Sequence, residues 1–517
     1  MGWGKLVTQA HSRQDAYRFL PIKALMFFVA VLLALKLGFA LFTKVAADEA
    51  YYWLWGQHFD WSYFDHPPLN AWFLGLSDAV FGTNVVGLRF PAFLTFIGTL
   101  YVMWLFAKRL FPQNSKQSFL VIVMVFLASP TLFVWTTIVY HDHLMLFLCL
   151  AATYCFTDYF ARFAADENTD VKMLYLAALL LGLAGLTKYA AAFLGISVAL
   201  VVILSTQLRP LLLRPHIYLA GLLTFACMSP VLVWNLQNDW ASFQLHFSDR
   251  YELKAFQGIN AATFARYLFS TALYFGVFLL VPLVGIFWPR RYETDFAKLG
   301  VRLAQITILT SMGIFVVFAA RGTVHWYWSD LAYALMILFM LLYLRWAWLI
   351  WAHVLTSLVI ILYGVVTYAL VPAEYYFGAG NLEVGRMYGW GQVVPKVEEY
   401  QEELGISNVG GTLYVSAGQL AYYLDRKDIF DFAAKESQFN FWDQKNVPAG
   451  EDGLVVHDPF GDLETAKKRF EKLTLLERLD INLLGFYVLW YEIYLGENST
   501  PIDDEIEKVP HAPKAKL

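Results

Sequence analysis

Hydrophobic positions along the chain fall in long blocks. Apolar runs of about 20 residues recur from Ile22 to Val371, and a helix of about that length crosses the hydrocarbon core of a bilayer. The blocks at 22–43, 86–107, 118–138, 144–161, 172–187, 189–207, 216–235, 264–288, 301–320, 326–344 and 346–371 predict about eleven spanning helices. Beyond residue 372 the pattern shortens. Thr412–Ser416, Leu454–His457 and Phe486–Tyr494 read as strands; Gln392–Leu404, Gln419–Leu424 and Asp462–Leu473 read as helices. The expected fold is an all-α polytopic membrane bundle with a C-terminal soluble α/β domain. Its parts are an N-terminal segment 1–21, a membrane domain 22–372 with a polar loop at 44–85, an α/β domain 373–496 and a disordered tail 497–517. Val45-Ala46-Ala47 resembles a signal cleavage site. The apolar run before it is too long for a signal peptide and starts too late, so it is read as a span.

Composition agrees with a membrane protein. Of 517 residues 58% are hydrophobic and 15% charged, where soluble domains carry about 25% charged residues. That excludes a disordered chain, a nucleic-acid binder and a soluble enzyme. The net charge of −4 hides a split. Residues 1–372 hold 24 Lys and Arg against 17 Asp and Glu; residues 373–517 hold 14 against 25. Basic residues also alternate between successive connections, 15 on one side against 4 on the other. The positive-inside rule therefore puts the N-terminus in the cytoplasm and the acidic C-terminal domain across the plasma membrane, in the periplasm of a Gram-negative cell. Cys149, Cys155 and Cys227 all lie in apolar runs and make neither a disulfide framework nor a zinc site.

With that orientation, five polar clusters face outward. The loop 44–85 contains Asp48-Glu49, Tyr51-Tyr52-Trp53 and Asp65-His66-Pro67-Pro68. Next come His141-Asp142-His143, then Lys188-Tyr189, then Trp234-Asn235 with Arg250, and last Arg321 with His325-Trp326. Carboxylates at one lip bind or deprotonate sugar hydroxyls, aromatic rings stack on pyranoses, and Lys or Arg holds phosphate. Asp48, Glu49 and Asp142 are the candidate catalytic acids, with Asp48 the favoured general base. Lys188, Arg321 and Arg250 are the candidate phosphate ligands. Tyr51, Tyr52, His66, His141, Trp234, Asn235, His325 and Trp326 are the candidate substrate contacts. Each has a plainer reading, since Trp and Tyr gather at membrane interfaces without any catalytic task. His141 and His143 flanking Asp142 are the one turn that offers ligands to a divalent metal, and three residues in a turn are a weak signal. No metal ligand is assigned, and no Gly-rich nucleotide-phosphate loop is present. The rival reading is a polytopic transporter or flippase, which would place its charges near the midplane beside broken helices.

Asp48-Glu49 after the first span, followed by Asp65-His66-Pro67-Pro68-Leu69, resembles the first outside loop of the protein O-mannosyltransferase clan. More closely it is similar to the bacterial membrane glycosyltransferases of families 39 and 83, a group that includes transferases acting on lipid A and lipopolysaccharide. Leu181–Tyr189, Ser229–Asn235 and His325-Trp326 resemble later segments of that group. The turn at His141-Asp142-His143 departs from it, since the group more often has Asp followed by Pro there. The resemblance implies a GT-C fold and a sugar donor carried on polyprenyl phosphate. It also favours lipid A, lipopolysaccharide or another envelope glycolipid over a protein as acceptor. The expected chemistry is a single displacement at the anomeric carbon, which inverts it.

Overall fold

The computed structural model describes residues 20–246, 260–322, 324–344, 346–372 and 384–500. These form two compact units. The first takes residues up to Phe42, Asp60–Phe73 and Val85–Val365; the second takes Thr43–Phe59, Leu74–Asn84 and the chain from Val366 onward.

The first unit is helical. Its helices are α1 (Ile22–Phe42), the first turn of α3 (Leu69–Phe81), α4 (Val85–Leu110), α5 (Ser115–Ala128), α6 (Pro130–Trp135), α7 (Asp142–Ala165) and α8 (Lys172–Gly185). They continue with α9 (Ala192–Leu204), α10 (Pro215–Cys227), α11 (Ser229–Gln237), α12 (Ala241–Gln244), α13 (Ala261–Phe275), α14 (Leu280–Gly285), α15 (Asp295–Ala319), α16 (Asp330–Phe339) and most of α17 (Trp348–Ala369). The expected apolar runs overlap helices, but the described residues do not supply eleven helices long enough to span. Among the described residues, five helices are by length and hydropathy long enough to cross a membrane: α1, α4, α7, α15 and α17. Counting each bent pair as one span gives up to eight: Tyr189–Leu204 with Thr206–Leu213 (103°), Pro215–Cys227 with Ser229–Gln237 (48°) and Ala261–Phe275 with Val277–Gly285 (97°). The expected spans at 118–138, 172–187 and 326–344 hold continuous helices of only 10–17 residues. The first of these is interrupted where Pro130 follows Ser129, because proline offers no N–H to continue the ladder.

One bend shows how such breaks are built. Gly276, at φ 118°, separates α13 from the turn Val277–Leu279. A Cβ there would lie 2.4 Å from Nδ1 of the buried His353, so the left-handed backbone and the close imidazole both require glycine. The cysteines are free thiols, Cys149 and Cys155 buried and Cys227 partly so.

The second unit contains α2 (Ala47–Gln57), the rest of α3, α18 (Trp390–Leu404), α19 (Tyr414–Leu424), the short α20 (Leu463–Lys467) and a five-stranded sheet. The strands are β1 (Val409–Gly411), β2 (Phe430–Asp431), β3 (Gly453–His457), β4 (Phe470–Leu483) and β5 (Phe486–Ser499), in the order β2-β1-β3-β5-β4. β1 is parallel to both β2 and β3; β5 is antiparallel to β3 and forms a hairpin with β4. Phe432, Val447, Val455, Ala466 and Phe470 form a buried core beside the sheet.

Three expectations for this region are corrected. Thr412–Ser416 is not a strand: the strand ends at Gly411 and helix α19 starts at Tyr414. β1 is Val-Gly-Gly because a Cβ on Gly410 would lie 2.4 Å from the Phe430 carbonyl oxygen, so the strand lacks the branched side chains that advertise one. The expected helix Asp462–Leu473 stops at Lys467 and gives way to β4. Asp462 caps that short helix by accepting from the Glu464 and Thr465 N–H groups. Register shifts at Leu475/Glu477 and Ile481/Asn482 disturb the two-residue alternation that would have marked β4. Residues 497–499, expected in the tail, close β5, and Ser499 Oγ donates to the Val447 carbonyl at 3.0 Å. Pro510 and Pro513 lie outside the described residues.

Candidate functional site

In the first unit the chain after Phe59 descends through Asp60–Pro68 and enters α3. The Leu69 N–H donates to the Leu186 carbonyl at 3.0 Å, which ties the His-Pro-Pro loop to the end of α8. The α8 to α9 connection carries Lys188, and α7 opens with Asp142. There the two meet: Lys188 Nζ lies 2.5 Å from Asp142 Oδ1. The Asp142 side chain is 2% exposed and that of Lys188 11%. A buried ion pair loses more hydration than an exposed one, so its partners are strongly tied to each other's presence.

Around this pair stand rings and a second carboxyl group. His66 packs on His141 with centroids 4.2 Å apart and on His246 at 5.8 Å. The His246 Nε2 is 2.6 Å from the Asp65 carbonyl, and Tyr189 crosses the His246 ring at 4.8 Å. Lys188 Nζ sits 5.5 Å from the Tyr327 ring centre. Tyr327 in turn contacts Trp135 at 4.4 Å and His325 at 5.4 Å. Asp330, at the first position of α16, is buried and interacts electrostatically with both Asp142 and Lys188. The result is one lysine paired with Asp142 and a second carboxyl group beside them, lined by imidazole and phenol groups. It suits an anion that competes with Asp142 for Lys188 and a ring that stacks on aromatics.

The expected site residues divide into those that line this pair and those committed elsewhere. His66, His141, Asp142 and Lys188 are brought together. His325 is exposed at the edge of the aromatic group. Trp326 is stacked on Tyr274, 4.6 Å away, and Arg321 is exposed. Arg250 lies outside the described residues. Trp234 and Asn235, expected as substrate contacts, are both buried, with polar groups bonded inside the fold. Trp234 Nε1 donates to Asp60 Oδ2 at 3.0 Å. Burial pushes the Asp60 carboxyl above the usual carboxylate range, and the bonds from the Trp61 N–H and Trp234 act in the opposite direction. Asn235 donates to the Val231 carbonyl and accepts from the Phe243 N–H, closing the turn into α12. His143 is likewise engaged, with Nδ1 2.8 Å from Thr95 Oγ1 and Nε2 3.2 Å from Asn70 Oδ1. Among the described residues no group of three His, Cys, Asp or Glu is placed to hold a metal ion.

Asp48 and Glu49 belong to the second unit, on the first turn of α2. Glu49 is fully buried, and its carboxylate accepts from the Ala46 N–H at 3.0 Å, an N-terminal capping contact. Asp48 is half-buried. Tyr51, expected to touch substrate, is buried, and its hydroxyl accepts from the Gln438 N–H at 2.8 Å. Tyr52 is also buried and packs on Trp55 with ring centres 5.0 Å apart.

Sequence reasoning passed over Asp330 because it sits beside a span end. The usable signal was an acid on the first turn of an apolar helix with no cation nearby in sequence, since such a group needs a distant partner. Tyr327 was visible only as one aromatic among several.

Comparison with known proteins follows the same outline. The sequence model of the dolichyl-phosphate-mannose-protein mannosyltransferase family matches residues 65–234, a segment that holds His66, His141, Asp142 and Lys188. The lipid A galacturonosyltransferase RgtD of Rhizobium johnstonii is 27% identical over 202 residues, which cover 38% of this chain and 40% of that protein. The chain thus aligns with less than half the length of this curated relative. Two crystal structures of ArnT from Cupriavidus metallidurans share the fold at 14% identity. The apo form has a TM-score of 0.60 over 91% of this chain and 97% of that one. The form bound to undecaprenyl phosphate has 0.62 over 90% and 97%. The likeness to GT-C membrane glycosyltransferases of the protein O-mannosyltransferase clan is therefore one of sequence across residues 65–234 and of fold across about 90% of the chain.

Proposed function

We propose that the protein transfers a sugar from a polyprenyl-phosphate carrier to a hydroxyl of an envelope glycolipid, such as lipid A or another part of lipopolysaccharide. The observation that carries this reading is the buried Lys188–Asp142 pair, 2.5 Å apart, inside the segment that matches the mannosyltransferase family. A phosphate presented to Lys188 replaces one anion by another, so donor binding costs little extra desolvation of the lysine. That a protein of this fold has been crystallised with undecaprenyl phosphate supports a carrier of that class. The reacting centre is the anomeric carbon. The acceptor oxygen attacks it, the bond to the carrier phosphate breaks, and the phosphate leaves with both electrons, so one displacement inverts the centre. Lys188 faces the departing phosphate, and a carboxylate takes the acceptor proton. Asp48 is the proposed base, with Asp142 holding sugar hydroxyls or taking the proton in its place. Such a base contributes about 10²–10⁴-fold. The reaction side is the one opposite the cytoplasmic N-terminus, in a multi-pass protein of the plasma membrane.

The three sharply bent helix pairs are the feature a lipid flippase would use. Mass spectrometry of envelope glycolipids with and without the gene separates the two. A transferase leaves an acceptor lighter by one sugar in the deletion strain. A flippase changes where a lipid lies and leaves each mass unchanged, and that result would sink the transferase reading.

A further inference from the structure

The helix that carries Asp48 and Glu49 is built into the C-terminal unit. Within that unit α2 lies against α19 at a point where no side chain fits: a methyl group added at Gly418 would meet Tyr51 Cα at 2.9 Å and Tyr51 N at 3.0 Å. Gln419, the next residue, donates from Nε2 to the Val45 carbonyl at 3.0 Å, just before α2 begins. The Gln438 N–H donates to the Tyr51 hydroxyl. On another side, Asp78 of α3 accepts from Trp53 Nε1 at 2.8 Å and Gln57 Nε2 at 3.1 Å. The helix is therefore held at its entry, middle and end, by contacts that fix its rotation as well as its place. Rotation matters because adjacent residues on a helix point about 100° apart. In the observed setting Glu49 is fully buried and Asp48 is half-buried.

We propose that the C-terminal domain is a positioning device, whose α19 sets the rotation of α2 and so presents Asp48 rather than Glu49 for catalysis; Gly418 and Gln419 are its positioning residues. This rests on the proposed role of Asp48 as base. It assigns the soluble domain a task in the transfer reaction without any substrate contact of its own.

The test uses the full-length protein in detergent and in a gene-deletion strain. The product followed is the sugar-bearing glycolipid whose mass disappears on deletion. Gly418→Leu pushes α2 off α19. Amides of residues 50–57 should then exchange hydrogen faster, while those of β3 (453–457) keep their rates. Product should fall by about 10²-fold, the scale on which a misplacement near 1 Å acts. In an Asp48→Asn background the same substitution should cost nothing more, because the group it displaces is already disabled. Gly391→Ala on α18, where a Cβ meets no atom within 4 Å, is the control and should leave product unchanged. If Gly418→Leu also loosens β3, Gln419→Leu replaces it and should give the same pattern with a smaller loss. Full product from the Gly418 and Gln419 variants, with Asp48→Asn inactive, overturns the positioning role and leaves the base standing. Full product from Asp48→Asn overturns the base, and the positioning role with it.

Discussion

Asp142 is 46 residues from Lys188 in sequence and 2.5 Å from it in space. Neither charge is stable alone at that depth. Lys188→Ala should therefore lower thermal stability in detergent as well as donor binding, since breaking a buried pair costs about 3–5 kcal/mol. Lys188→Met combined with Asp142→Asn removes both charges and should recover most of the melting temperature. It should not recover retention of undecaprenyl phosphate, measured by native mass spectrometry. Recovery of both would make the pair purely structural. Asp48 and Glu49 should separate in a similar way. Asp48→Asn keeps the shape of the side chain but takes no proton, so glycolipid product should drop by about 10²-fold or more with the melting temperature unchanged. Glu49→Ala removes the acceptor for the Ala46 N–H, and its first effect should be a stability loss of about 0.5–2 kcal/mol. Equal product loss from both, without destabilisation, would count against the distinction.

At the scale of elements, the sharp breaks are where packing overrides helix propensity. Gly276→Ala forces a Cβ into a left-handed backbone and against His353. It should cost more than the roughly 1–2 kcal/mol of the backbone term alone. Adding His353→Ala should return the steric part and leave the backbone part, so the double variant melts above Gly276→Ala and below the parent. If the double variant melts lowest, the hydrogen-bonding contacts of His353 with the Val125 carbonyl and Ser357 matter more than the clash. The α/β unit teaches the converse lesson. Its strand β1 contains two glycines because neighbouring backbone comes close, and β4 carries two register shifts. Both are strands whose pairing, rather than whose composition, makes them strands.

For the whole molecule the testable statement is topology. Reporter fusions within Lys108–Lys116 and Arg290–Arg302 should report cytoplasm, and fusions after residue 380 the opposite side, because basic residues favour one set of connections by 15 to 4. A cytoplasmic signal after residue 380 would remove the proposed periplasmic reaction side.

The sequence by itself determined where the apolar helices lie and which loop carries the acidic pair and the His-Pro-Pro motif. Those properties are local: hydrophobicity accumulates residue by residue, and a motif is read without its surroundings. Tertiary structure alone decided where helices break, which acid pairs with Lys188, and which of two adjacent acids is the less buried. Asp330 comes near that pair only because α16 is packed on α7. Trp234, Asn235 and Tyr51 carry the residue types of a substrate site, yet Asp60, Phe243 and Gln438 take their polar groups inside the fold. Local pattern says what a side chain is able to bind. Its neighbours, brought together across the chain by packing, settle what it does bind, because a buried polar group bonds to whatever partner lies within reach.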